Sequence, residues 1–225
     1  MTNAETTGAA APEPLDAVQA RILGCLVEKQ ATTPDVYPLT LNAIVAACNQ
    51  KSNREPVSDH DPGTVGHALR GLEGRGLVTG SLAARASRYA HRFDAGYGVT
   101  PRQRAVLAVL MLRGAQTANE LFLRCERLAE FGSADEVREV LERLATREPA
   151  LALCIGRAAG QREDRWMHLL CGPVDAAAAL SSHTPAPAGP TQKGLAERVE
   201  RLESLVESLQ AGLDELRRRP PGEAP

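Results

Sequence analysis

The amino-acid sequence predicts an α+β fold, mainly helical with small β-hairpins, in which one unit of three helices and a hairpin occurs twice and a heptad helix follows. Three observations carry this. The first is an internal match in constant order: Gln19 to Leu26 resembles Gln103 to Leu110 in apolar pattern, Val65, Leu69 and Leu72 recur as Val137, Leu141 and Leu144, and Tyr89-Ala-His91 recurs as Trp166-Met-His168. A duplicated unit of about 75 to 85 residues explains all three and suits a small domain. The second is a set of helix-start signals at matching places. The third is an unbroken heptad pattern near the C-terminus.

Taken in order, residues 1–14 are Ala, Thr, Pro and Gly with no large apolar cluster, which predicts a disordered N-terminus. The first helix opens at Asp16, whose spacing to Gln19 is that of a capping box. Tyr37-Pro38 stiffens the loop that follows, because Pro fixes its own φ and pushes the preceding residue toward an extended conformation. Thr40 caps a second helix, and Asp61-Pro62 starts a third that runs to about Arg75. A hairpin pairs Leu77–Leu82 with Arg88–Phe93. The second unit repeats the order, with capping-box spacings at Thr100/Gln103, Thr117/Glu120 and Ser133/Glu136, and a hairpin of Leu151–Arg157 with Arg165–Leu170.

Domain 1 therefore spans 15–98 and domain 2 spans 99–172. Residues 173–194 form an Ala/Pro-rich linker whose start, Val174 to Leu180, can continue as a short helix. In 195–219, Leu195, Val199, Leu202, Val206, Leu209, Leu213 and Leu216 step by four and three, a seam that predicts a homodimeric coiled coil. An amphipathic helix folding back on its own chain is the competing reading, since three heptads interrupted by Gly212 are marginal. Residues 220–225 are a disordered tail.

Three helices followed by a hairpin is the order of the winged-helix variant of the helix-turn-helix, so the sequence predicts two such domains in tandem. Winged helices serve both DNA and protein contacts, and composition must narrow the choice. Aromatic residues make up 3%, too few for a stacking platform on single-stranded nucleic acid. No apolar run of membrane-spanning length and no leader-like segment occur, which predicts a cytoplasmic chain with no membrane partner. Cys25, Cys48, Cys125, Cys154 and Cys171 form no Cys-x-x-Cys pair, and the five histidines have no ligand spacing, so neither a metal nor a cofactor is expected. No nucleophile motif or phosphate loop is present, and no enzyme is predicted.

The binding candidates lie in domain 1. Gln50, Lys51, Ser52, Asn53 and Arg54 fill the corner between the second and third helices, the place where a helix-turn-helix holds phosphate oxygens. Thr64, His67 and Arg70 face outward on the third helix, and Arg85, Arg88 and Arg92 sit on or beside the hairpin as wing contacts. The leading expectation is a non-enzymatic, dimeric DNA-binding regulator that meets double-stranded DNA through domain 1. Against it stand nine Lys and Arg beside eight Asp and Glu in 15–98, and a third helix with four glycines. These features favour the alternative, a protein-interaction scaffold that uses the winged helices and the tail without nucleic acid. In domain 2 the third helix alternates Glu and Arg, a solvated pattern that suits a protein partner better than phosphate.

Several segments also resemble the YceH-like family of bacterial proteins: Leu23-Gly-Cys-Leu-Val-Glu-Lys29, Thr32-Thr-Pro-Asp-Val-Tyr-Pro-Leu39, Leu41-Asn42, Ala47-Cys-Asn-Gln-Lys-Ser-Asn-Arg54, Leu112-Arg-Gly-Ala-Gln-Thr117 and Gly160-Gln-Arg-Glu163. The resemblance runs from about Leu15 to Gly172. Ala115 stands where the family pattern has Pro, and Arg88 where it has Lys. The resemblance implies tandem winged helices, a heptad tail and a bacterial cytoplasm, and it implies no reaction, substrate or ligand.

Overall fold

The computed structural model describes residues 13–83, 86–157 and 161–181, together with residue 210. Arg85, residues 1–12 and every heptad position from Leu195 to Leu216 lie outside the described residues.

The first repeat begins with α1 (Ala17–Thr32), whose capping box closes in both directions between Asp16 and Gln19. A 3₁₀ turn (Pro34–Val36) and the two-residue strand β1 (Leu39–Thr40) lead into α2 (Leu41–Cys48), which Thr40 caps. Helix α3 (Pro62–Gly74) starts on Asp61 with Pro at its first turn. Strands β2 (Val78–Ala83) and β3 (Ala86–His91) follow, and the short α4 (Phe93–Tyr97) closes the repeat at Gly98, whose φ of 59° lies in the left-handed region that glycine enters most readily.

The second repeat has the same order: α5 (Pro101–Arg113), β4 (Gln116–Thr117), α6 (Ala118–Cys125), α7 (Ala134–Thr146), β5 (Ala152–Gly156) and β6 (Arg165–His168). A further helix, α8 (Ala176–Ser181), comes after it, where the linker was expected to continue as a helix. Thr100 and Thr117 make complete capping boxes. Ser133 does not: its hydroxyl accepts from the Glu136 amide, but the Glu136 carboxylate accepts from Gly132 instead of Ser133.

Each repeat carries a three-stranded antiparallel sheet, in the orders β1-β3-β2 and β4-β6-β5. Leu39 pairs with Tyr89 and Gln116 with Trp166; Val78 pairs with His91 and Ala152 with His168. The duplication seen in sequence thus holds to the register. An irregularity between Cys154 and Gly156 is where the second sheet departs from the first.

The core explains why α1 and α5 show so little amphipathicity. Positions 20–27 of α1 and 105–112 of α5 are buried without interruption, because each helix packs on its own repeat with one side and on the other first helix with the opposite side. Gly24 is the point of closest approach: a Cβ there would lie 2.9 Å from Leu112 Cγ. The backbone amide of Glu55 donates to Leu112 O at 2.8 Å, and that of Leu15 to Leu170 O at 2.8 Å, so hydrogen bonds also cross between the repeats. Among the thiols, Cys25, Cys48 and Cys125 are buried, whereas Cys154 and Cys171 are exposed; all are free.

Candidate functional site

The α2–α3 corner is held by side chains that the sequence marks only as polar. Asn49, just past the end of α2, donates from Nδ2 to His60 O at 2.9 Å and accepts from His60 N at 2.8 Å, while Ser58 Oγ donates to Cys48 O at 3.1 Å. These bonds span a ten-residue excursion without a strand or helix. At its tip Lys51, Ser52 and Asn53 are exposed, and Asn53 adopts φ 60°, in the left-handed region that Asn tolerates better than most residues. Gln50 donates to Ser52 Oγ at 3.3 Å and accepts from Lys29 Nζ at 3.3 Å. Among the described residues Lys51 has no hydrogen-bond or ion-pair partner.

Arg54 is not part of the exposed corner. It is 5% exposed and turned inward, where Nη1 and Nη2 grip the two carboxylate oxygens of Glu28 at 2.8 and 2.9 Å, Nε donates to Ala47 O at 2.9 Å, and Nη1 also reaches Asn53 O at 2.8 Å. Burial pushes the Glu28 carboxyl up, but the Arg54 bonds and charge outweigh it and hold Glu28 below the usual carboxylate range. Arg54 therefore fastens the corner to α1 and is spent for phosphate binding, which corrects the sequence expectation.

Arg88 is engaged through one of its nitrogens. Its Nη1 donates to Pro38 O at 2.8 Å and Val36 O at 3.3 Å, tying β3 to the loop before β1. Arg165 stands at the same register in the second sheet, opposite Thr117 as Arg88 is opposite Thr40, and its Nη1 likewise donates to the carbonyl preceding the short strand, Ala115 O, at 3.0 Å. The common role is a clasp between sheet and loop. Beside it His91 anchors the hairpin to α1: its Nδ1 accepts from Phe93 N at 3.3 Å, which leaves Nε2 to donate to Gln30 Oε1 at 2.7 Å. Burial, then the charge of Arg104, pushes this imidazole down to about 4. Arg92 is exposed at the end of β3.

On α3, Thr64, His67 and Arg70 are exposed at three-residue spacing and share one face. Thr64 is occupied by the cap, donating from Oγ1 to Asp61 Oδ2 at 2.6 Å. Among the described residues His67 and Arg70 make no hydrogen bond, and they stay available to a ligand on that face.

The structure adds cations that sequence reasoning missed. Lys29 from α1, Arg113 from α5, and Arg124 and Arg127 at the end of α6 surround a cleft of about 320 Å³, together with Gln50 and Asn53. Arg113 Nη2 donates to Asn53 Oδ1. Burial, then the charges of Arg124 and Arg54, lower the Arg113 guanidinium, a mark of crowded positive charge. No local signal could have found this set, since its members come from segments up to about a hundred positions apart, and a nearly neutral total conceals how charge is distributed over a surface. Among the described residues no group of His, Cys, Asp and Glu could hold a metal ion, and no helix is long and apolar enough to cross a membrane.

Comparison with known proteins agrees with the segments singled out in the sequence. A family model described as a protein of unknown function, DUF480, matches residues 15–161. The chain is 54% identical over 206 residues to a UPF0502 protein of Stenotrophomonas maltophilia (strain K279a), covering 90% of this chain and 94% of that one. It is 50% identical over 209 residues to one of Xanthomonas campestris pv. campestris (strain B100), covering 91% and 93%, and 48% identical over 202 residues to one of Mesorhizobium japonicum, covering 90% and 96%. A match spanning both repeats, with near-complete coverage of these bacterial relatives, places the chain in the DUF480 family of proteins of unknown function, as its resemblance to a bacterial family without an assigned activity implied.

Proposed function

We propose that the protein is a non-enzymatic tandem winged-helix protein of the bacterial cytoplasm that binds double-stranded DNA through its first repeat and acts as a regulator. The observation that carries this reading is the braced corner between α2 and α3. Arg54 and Asn49 hold it from within, so that Lys51, Ser52 and Asn53 project outward, and Gln50 and Asn53 share a cleft with Lys29, Arg113, Arg124 and Arg127, which outnumber its carboxylates Glu28 and Glu126. Donors on a rigid corner beside several cations suit phosphate oxygens. Helix α3 offers few long exposed side chains, His67 and Arg70 beside the anionic Glu73, so contact with the backbone dominates over reading of base edges.

The test is a fluorescence-anisotropy titration against a random duplex at several salt concentrations. Binding that weakens with salt, with a slope of about 0.9 per phosphate neutralised, is expected. The triple variant Lys51→Glu, Arg70→Glu, Arg127→Glu changes exposed side chains only and abolishes binding with an unaltered melting temperature; unchanged affinity refutes the assigned face.

The tail makes the protein a dimer in this reading, on the strength of the heptad seam from Leu195 to Leu216. Light scattering before and after deletion of residues 195–225 decides it, and a monomeric full-length chain rules the dimer out. A second reading, a protein-interaction scaffold, draws on Leu82 and Leu123, which are 87% and 72% exposed. In that case Leu82→Ser with Leu123→Ser disrupts a stoichiometric complex and leaves any duplex binding untouched.

A further inference from the structure

A second cavity, of about 510 Å³, lies among α1, α5, β6, α8 and the end of the α2–α3 loop, within the volume range of pockets that hold small molecules. Two of its polar lining residues are nearly fully buried and incompletely bonded. Arg21 is 6% exposed and His168 is 5% exposed. Arg21 Nη2 donates to Pro56 O at 2.7 Å, but Nη1 has no partner, and among the described residues no carboxylate pairs with it. His168 Nδ1 has no partner either.

The other buried arginines show what a structural role looks like in this protein. Arg54 spends its fork on Glu28 and two carbonyls, and Arg165 on Glu120, Gln161 and a carbonyl. Arg21 makes one hydrogen bond out of five donors, and its strongest charged neighbours include Arg54, a like charge. A buried guanidinium left in this condition is costly to the fold, and holding the loop at Pro56 needs no charge. The remaining wall combines Leu110, Met111 and Met167 with the charged side chains Arg113 and Glu55, whose opposite signs leave a net single positive charge for a ligand to meet.

We infer that this cavity binds a small carboxylic acid, its carboxylate held by Arg21 and His168 and its apolar body lying on Leu110, Met111 and Met167. Among the described residues His168 Nδ1 has no partner, so a neutral imidazole can carry its proton there and donate it to a carboxylate oxygen. The thioether walls accept bodies of varied shape, since Met adapts its three torsions to what it touches. The inference does not depend on DNA binding, and its experiment contains no nucleic acid.

The experiment is calorimetric titration and thermal melting of the full chain with sodium octanoate, 1-octanol and inorganic phosphate, which separate anion plus body from body alone and anion alone. Octanoate is expected to bind once per chain with a saturable isotherm below ~10 mM and to raise the melting temperature, with the other two probes at least about tenfold weaker. Arg21→Met replaces the unpaired cation with an apolar chain of similar reach; it melts at or above the wild-type temperature and loses the octanoate response. Arg21→Lys keeps charge without the planar fork and retains a weakened response. The inference is overturned if folded wild-type protein shows no saturable octanoate binding, which would mean that ordered water completes Arg21. It is equally overturned if Arg21→Met binds octanoate as the wild type does, or if phosphate binds as tightly as octanoate.

Discussion

Lys51 and Arg54 are two cations three positions apart in one polar stretch, and nothing local separates them. What does is Glu28, which lies 26 positions before Arg54 on the face of α1 behind the corner. The residue types at the corner were therefore legible in the sequence, whereas the division between those that bind outward and those that bind inward required the tertiary partner. The histidines illustrate the same limit, and they have a measurable consequence. His91 and His168 are both held neutral, His91 by burial and the charge of Arg104 and His168 by burial alone, each pushed from 6.5 to about 4. The unfolded chain takes these protons near pH 6.5 and the folded chain only near 4, so stability is full above the higher value and falls as pH drops through that window. The loss approaches ~3 kcal/mol for His168 and is smaller for the less buried His91. Urea denaturation at pH 7 and pH 4.5 measures it; His168→Phe should flatten the difference, and an equal slope in that variant means the buried imidazole is not its source.

At the scale of elements, caps and apolar spacing located every main helix and both hairpins, because each helix start has a side chain that satisfies orphan amides locally. Strands β1 and β4 escaped for the opposite reason. They are two residues long, their second residues Thr40 and Thr117 double as helix caps, and their partners lie some fifty positions downstream. The clasp of Arg88 and Arg165 onto the loops before these strands shows that they are fixed parts of each sheet and not incidental pairings. Between the first helices, packing is tight enough to be tested at one position. A Cβ on Gly24 meets Leu112 at 2.9 Å, and a branched side chain there also crowds Ala108 O, so Gly24→Val forces α1 and α5 apart. A destabilisation of about 1–3 kcal/mol is expected from chemical denaturation, while the exposed Gly74→Ala, with nothing within 4 Å of the new Cβ, should leave stability unchanged or raise it. Equal effects of the two substitutions contradict the close approach.

For the whole molecule, the sequence pattern showed two copies of a unit but not that the copies share one core. Apolar periodicity reports that a residue is buried and does not name what covers it. The apolar runs at 22–27 and 105–112 are the signal in the sequence, and such a run does not say which element covers its second side. The cations gathered around Lys29 and Arg113, with Glu28 and Glu126 among them, were hidden in the same way, because their grouping exists only in space. If the core is shared, the repeats unfold together. A fragment of residues 15–98 should fail to give a cooperative melt, whereas residues 13–181 should melt in one transition whose calorimetric and van't Hoff enthalpies agree. Two resolved transitions in the longer chain would assign each repeat a core of its own.

The seam at Gly24 and Leu112 also bears on descent. A helix buried on all sides along its middle turns is tolerable only while its counterpart persists, so a lineage that lost either copy would be left with exposed apolar surface. Once the ancestral unit had doubled and these two helices had turned toward each other, drift could reshape the outer surfaces of the copies independently, yet every viable descendant had to inherit both.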